Sequence, residues 1–324
     1  MRVSRLAAFL FVVASTGFAQ RTERILWREP GAVANADLGG TVASGVPAPK
    51  APFTFVHEDL AGTQPKLLVK DAAGTTWNIK FGNEVKPDCF TWRLPRAVGY
   101  FVEPSFYIAS GKIDGMQKMQ RQTPSLNADG RFTDGRFQYR DPAIRFTYRT
   151  WTWTNNPFRG TPQLHGLEIL VMLASNWDNK DGRAGRDETN TGIFEHRAAN
   201  GARELIYSFI DWGSGMGAWG DKGGQTDWNC SDYTRESTSF VKGVQGGQVV
   251  FGFEGHIREG FQTGITRADV AWLMKYLGQI TDAQLRAALH ACGATDHDEV
   301  CFTAAMRSRI EALRRVSIQS AYSH

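Results

Sequence analysis

The hexapeptide NWDNKD, Asn176 to Asp181, gathers two carboxylates, two amides and a lysine around one tryptophan, directly after the apolar run HGLEILVMLAS. Oxygen-rich loops of this kind hold hard cations such as calcium or magnesium. Taking Gly182 as the sixth position of a calcium loop puts Asn179 third, Asp181 fifth and Glu188 twelfth. The first position is then Trp177, which has no ligating atom, and no clear helix follows, so a standard EF-hand is excluded. Two further groups stand apart from this loop: Lys80 in WNIKFG and Asp211 in IDWG. The cluster His290, Cys292, His297 and Cys301 has the spacing of no standard zinc finger. No HExxH, no GxSxG elbow and no Cys/His nucleophile arrangement is present.

The elements that must position these groups are legible from periodicity. PKLLVKDAAGTTWNIKFG alternates apolar and polar residues on both sides of a Gly-containing turn, which predicts a hairpin with Lys80 near the end of its second strand. KPDCFTWRLPRAVGYF follows, with Pro87 at a helix start, Asp88 in the first turn and Pro95 shortening or kinking the helix. Turn signals and aromatic alternation between Ile108 and Thr154 predict further antiparallel strands. From Thr161 a capping Thr, a Pro at the first helical position and an apolar body predict a buried helix that runs into NWDNKD. A polar loop to Asn190 follows, then ELIYSFIDWG as a short strand ending on Asp211. Residues 212 to 235, rich in Gly, Trp, Ser and Asp, read as one long loop. SFVKGVQGGQVVFGFEG predicts a small hairpin, and three helices follow from Thr266.

A lysine on a strand, a helix with an acidic start, a buried helix running into NWDNKD and a strand ending in DWG stand in an informative order. That order resembles the protein-kinase-like superfamily, in particular its atypical phosphoinositide-kinase-like, HipA-like and secretory-pathway branches, within a group of exported bacterial proteins with NWD.KD and D.G motifs. The resemblance covers roughly residues 65 to 320 and implies a two-lobed α+β kinase-like fold whose cleft lies between a strand-rich and a helix-rich half. It also implies nucleotide- and metal-dependent phosphotransfer to a hydroxyl acceptor, with ATP or another nucleotide and Mg or Mn as cofactors. Lys80 would hold the α and β phosphates, steadied by a carboxylate for which Glu84 and Asp88 compete. Asp178 would orient or deprotonate the acceptor hydroxyl, and Lys180 would stabilise the transferring group. Asp211 would bind the metal, with Asp181 and Asn190 as further candidates. The pattern departs at Arg183, which stands where a metal-binding asparagine is expected; Asn190 takes that role only if the intervening insert loops out. No GxGxxG loop precedes Lys80.

The chain begins MRVSRLAAFLFVVASTGFAQ, which reads as an export signal over 1–19, cleaved near Ala19, and implies a periplasmic or secreted protein without a transmembrane segment. Loss of Arg2 and Arg5 takes the formal charge from +4 to about +2, too small an excess for a nucleic-acid-binding field. With 42% hydrophobic residues the chain can bury a large core, which rules out global disorder. The expected organisation after the signal is an extended arm over 20–64, a strand-rich half over 65–155 and a helix-rich half over 156–324. Four cysteines in an exported chain favour disulfides, with Cys292–Cys301 the expected pair. The partner is a protein or small-molecule acceptor. Two alternatives stay open: a non-catalytic exported binding protein, and a metal-dependent hydrolase that uses the aspartates without the lysine.

Overall fold

The computed structural model describes residues 22–40, 45–62, 64–185, 188–220 and 224–318, so the export signal lies outside the described residues. β1 (Thr22–Ile25) comes first. β2 (Phe53–Asp59), β3 (Lys66–Lys70) and β4 (Thr76–Lys80) then form an antiparallel run in which the predicted hairpin is β3–β4, with Lys66 opposite Lys80. Strand alternation sends Leu67, Val69, Trp77 and Ile79 to one face, where they are fully buried with Phe53, Phe106, Phe132 and Phe137. β5 (Ser105–Asp114) and β6 (Arg131–Tyr139) complete a closed barrel in the order β2-β3-β4-β6-β5, sealed by parallel pairing of Phe53 with Ile113. Closure removes the exposed strand edges.

The arm expected over 20–64 therefore needs correction: β2 belongs to the barrel, and its FTFVHED alternation finds partners only in the folded chain. Two short helices, α1 (Val85–Thr91) and α2 (Arg93–Ala97), connect β4 to β5. The break between them falls at Trp92, next to Thr91, whose carbonyl is the one that the ring of Pro95, four residues on, would oppose in a continuous helix.

A second sheet has the order β1-β9-β8-β7, built from β7 (Ile144–Arg149), β8 (Thr191–Arg197) and β9 (Arg203–Phe209), with β1 parallel to β9. β7 thus lies in the stretch read as the strand-rich half but pairs with β8. Both β8 and this long-range pairing escape a reading of local alternation. Between β7 and β8 runs α3 (Pro162–Leu173), capped by the Thr161 side chain on the Leu164 N–H and buried from Leu164 to Leu173.

The exit of α3 determines where NWDNKD sits. Ser175 adopts φ 47°, the Asn176 N–H donates to Val171 O at 3.0 Å and the Ser175 N–H donates to Met172 O at 2.9 Å, the two bonds of a Schellman motif. The end of the helix is further held by the Tyr233 hydroxyl, which donates to Leu173 O at 2.6 Å, and by Arg309, 1% exposed, on α7 (Asp296–Ile318). Its guanidinium donates to Met172 O, Leu173 O and the Ser175 and Ser237 hydroxyls, and lies 3.7 Å from the Tyr233 ring centroid. A planar fork of donors suits this cluster as a point charge would not.

The stretch read as one loop over 212–235 ends in a helix, α4 (Cys230–Ser237), capped by Asn229, because its polar composition hides the helical period. The hairpin β10 (Val241–Gln245) and β11 (Gln248–Phe251) follows as expected. α5 (Arg267–Leu277) and α6 (Asp282–His290) open on capping boxes at Thr266 and Thr281.

The expected Cys292–Cys301 bridge is also overturned. Cys292, past the end of α6, bonds to Cys89 on α1, and Cys301, on α7, bonds to Cys230 on α4. Closeness in sequence misleads here, because the turn into α7 aims Cys301 at α4 while Cys292 packs beneath α1. Two disulfides are compatible with an oxidising compartment. Among the described residues no helix is long and apolar enough to cross a membrane.

Replacing Arg309 by Leu removes five buried donor contacts, to Met172 O, Leu173 O, Tyr233 O and the Ser175 and Ser237 hydroxyls, and a loss of about 3 kcal/mol in urea unfolding is expected. Retention of wild-type stability would show that Arg309 is not the group that secures the end of α3.

Candidate active site

β4 ends on Lys80, whose side chain is 5% exposed. A buried ammonium needs counter-charge, and two carboxylates supply it. Glu84 comes four residues later at the N-cap of α1 and contacts Nζ directly, while Asp211 Oδ2 lies at 3.3 Å. Between the two candidate partners of Lys80, the structure selects Glu84. Asp88 points instead to Arg136, 3.3 Å away on β6, and accepts from the Ser105 hydroxyl at 3.1 Å. Because Lys80 and Arg136 face each other across the β4–β6 ladder, the two ion pairs form one buried network.

Electrostatics follow from this packing. Burial alone would lower the Lys80 ammonium, but Asp211 and Glu84 outweigh it and hold it well above the usual lysine value. Burial would raise the Asp211 carboxyl, yet Lys80, the Gly213 N–H and Arg136 bring it down to about 2. Burial raises Glu84, with Lys80 only partly offsetting it. Gly213 ends DWG for a steric reason: a Cβ there would come 2.7 Å from Glu84 Cβ.

The side chains of NWDNKD divide between the cavity and the interior. Asp178 and Lys180 are half-buried and face the same cavity; Asn179 and Asp181 are fully buried on the other side. Lys180 Nζ lies 3.0 Å and His256 Nε2 3.6 Å from Asp178 Oδ1, which receives no aligned hydrogen bond. Asn179 exchanges two 2.8 Å hydrogen bonds with the Ile257 backbone. The side-chain amide of Asn176 donates to Asp211 O at 3.0 Å, linking this loop to the second aspartate.

Asp181 is not brought to the cavity. Its carboxylate accepts from the Trp153 N–H and from the Arg183 guanidinium, which leaves no lone pair directed at a metal. Arg183 is thereby turned toward Asp181 and Glu259 O. Asn190 does come back to this loop: its N–H donates to Lys180 O at 3.0 Å and its side-chain amide donates to Asp178 O, while Oδ1 accepts no hydrogen bond from the described residues.

Lys80, Glu84, Asp178, Lys180, Asn190 and Asp211 line one cavity of about 280 Å³. A second cavity of about 220 Å³ shares Lys66, Lys80, Asn190 and Asp211 with it and extends inward past Arg136 to Glu103. Several lining residues have no counterpart in the sequence reading. Gly62 and Gln64 come from the turn between β2 and β3, which no motif search ahead of Lys80 finds once β2 is read as part of an arm. Arg136 sits in an aromatic strand like any surface arginine, yet it is 4% exposed, and its Nε and Nη1 make no aligned hydrogen bond among the described residues. Only the sequence separation of the barrel strands conceals it.

Asp227, from the loop before α4, accepts from the Trp177 indole N–H at 3.1 Å. Burial, followed by the Glu84 charge, pushes its carboxyl up to about 7 against the pull of Trp177 and Lys80. An unfolded aspartate titrates near 3.9, so between about pH 4 and 7 the folded chain keeps a proton that the unfolded chain has lost. Stability contributed by this group falls as pH rises through that window and is level above it. Asp227→Asn is expected to gain about 2 kcal/mol over wild type at pH 8 and little at pH 4, read from urea unfolding at the two pH values. An equal effect at both would show that Asp227 is ionised in the fold.

No protein-family model matches the chain, and no curated protein matches it. Among solved structures, the crystal structure of the Golgi casein kinase is similar over 84% of this chain and 75% of that chain, with 12% identity and a TM-score of 0.32.

Proposed function

We propose that the protein is an exported, two-lobed, kinase-like phosphotransferase that moves a phosphoryl group from a metal-bound nucleotide to a hydroxyl acceptor on a protein or small molecule. One observation carries this reading: Lys80, Asp178 and Asp211, from three separate elements, face a single cavity, with Lys80 held by Glu84. A lysine–glutamate pair beside a metal-binding aspartate and a hydroxyl-orienting aspartate is the set of parts that phosphoryl transfer requires.

The residues present fit the cofactors. Mg²⁺ or Mn²⁺ is held by one or two protein oxygens together with substrate phosphates, and the ionised Asp211 carboxylate and Asn190 Oδ1 supply oxygens of that kind. A bound metal neutralises charge on the phosphates. Lys80 holds the inner phosphates in place of part of its present contact with Asp211. Arg136, paired with Asp88 through Nε, adds positive potential behind it. Asp178 accepts the hydroxyl proton as the acceptor oxygen bonds to phosphorus and the bond to the leaving diphosphate oxygen breaks. Lys180, 3.0 Å from Asp178, stabilises the transferring group and keeps the carboxylate oriented.

Incubation of the full mature protein with nucleotide and Mg²⁺ or Mn²⁺ should give phosphate incorporation into itself or a casein-like acceptor. Asp178→Ala is expected to lower the rate about 10²–10⁴-fold. Asp211→Ala is expected to abolish metal-dependent nucleotide binding. Absence of nucleotide binding by the wild-type protein would favour the binding-protein alternative. Turnover that needs Asp178 and a metal but no nucleotide would favour the hydrolase.

A further inference from the structure

The inner end of the cleft has a chemistry of its own. One wall is apolar: the Phe146 and Phe194 rings, with centroids 5.1 Å apart, and Ile210 from the segment after β9. The facing edge is polar and carries opposite charges on neighbouring elements, Glu103 from the connection between α2 and β5, and Gln138 and Arg140 at the end of β6. No hydrogen bond from another described residue reaches the Glu103 carboxylate. Burial pushes it up to about 7, opposed mainly by Arg140. Glu103 is half-buried at the cavity wall, and a carboxylate there that accepts no protein hydrogen bond is free to accept from the donors of a ligand.

An aromatic wall opposite a carboxylate and a guanidinium defines the class of ring that fits. Guanine presents two adjacent donors, N1–H and the 2-amino group, beside the carbonyl acceptor O6. A carboxylate accepts from both donors at once, and an arginine donates to O6. Adenine presents an acceptor, N1, beside one amino donor, so it would set a lone pair against the carboxylate and leave the guanidinium without an acceptor. We infer that this end of the cleft selects a guanine nucleotide: the ring lies on Phe146, which Phe194 backs from below, Glu103 accepts from N1–H and the 2-amino group, and Arg140 donates to O6. The inference rests on the nucleotide-dependent reading above and names its donor. The phosphates then run past Arg136, in the second cavity, toward Lys80 and Asp211, which the two cavities share.

Calorimetric titration of the full mature protein with GTP, ITP and ATP in the presence of Mg²⁺ tests the assignment. GTP is expected to bind at least tenfold more tightly than ATP, with ITP, which lacks the 2-amino group, between them. Glu103→Gln exchanges one of the two acceptors facing N1–H and the 2-amino group for a donor, which penalises guanine and can donate to N1 of adenine, and should lower the GTP-to-ATP affinity ratio tenfold or more. Arg140→Ala should weaken GTP more than ATP, and circular dichroism on both variants verifies the fold. Equal or tighter binding of ATP by wild type, or an unchanged GTP-to-ATP ratio in Glu103→Gln, overturns the base assignment and leaves phosphotransfer standing. Binding of none of the three nucleotides overturns the phosphotransfer reading and the base assignment together.

Discussion

A single buried ammonium governs the middle of this molecule. Lys80 ends a barrel strand at a depth where an unpaired cation would not be tolerated, so the chain must deliver carboxylates to it. Glu84 arrives because α1 starts immediately after β4, and Asp211 arrives because β9 ends two residues before it. Meeting one charge therefore fixes the relative positions of the barrel, the first helix and the second sheet. The Asp88–Arg136 pair extends the same logic by one turn of helix and one rung of ladder. Such networks are poor general stabilisers, since desolvation offsets much of the attraction, but they specify geometry.

The second organising centre is the end of α3. An apolar helix buried on all sides has to terminate inside the protein, where its last carbonyls have no water. Arg309, the Tyr233 hydroxyl and the Schellman turn meet that need together. The chain that leaves the helix then divides its polar side chains between two tasks. Asn179 and Asp181 serve the scaffold, and Asp178 and Lys180 serve the cleft. The polar residues that prompted a metal reading of this loop are thus mostly consumed in holding it.

Much of this was legible in the sequence where the signal was local. The β3–β4 hairpin, the capped buried helix and the C-terminal helices follow from periodicity and caps, and the order of Lys80, Asp178 and Asp211 pointed to a common cleft. The remainder depended on distance along the chain. β2 reads as part of an arm because its partners, β3 and β5, are revealed only by barrel closure. With β2 hidden, the turn that brings Gly62 and Gln64 to the cleft is hidden too. Asn190 is separated from Asp178 by an insert whose path no spacing rule gives. Arg136 and Glu103 carry no motif, and only burial distinguishes them. Cysteine pairing failed for the same reason, since the direction in which each thiol points is set by tertiary packing.

The bridge between Cys89 and Cys292 joins the residue next to Asp88 to the end of α6, 203 positions away. It fastens the helix that carries Glu84 and Asp88 to the helical side of the molecule by a covalent bond. Swinging α1 outward, which would separate Glu84 from Lys80, then requires a thiol–disulfide exchange as well as a conformational step. The carboxylates of the charge network are thus tethered to the helical side by a covalent bond as well as by packing.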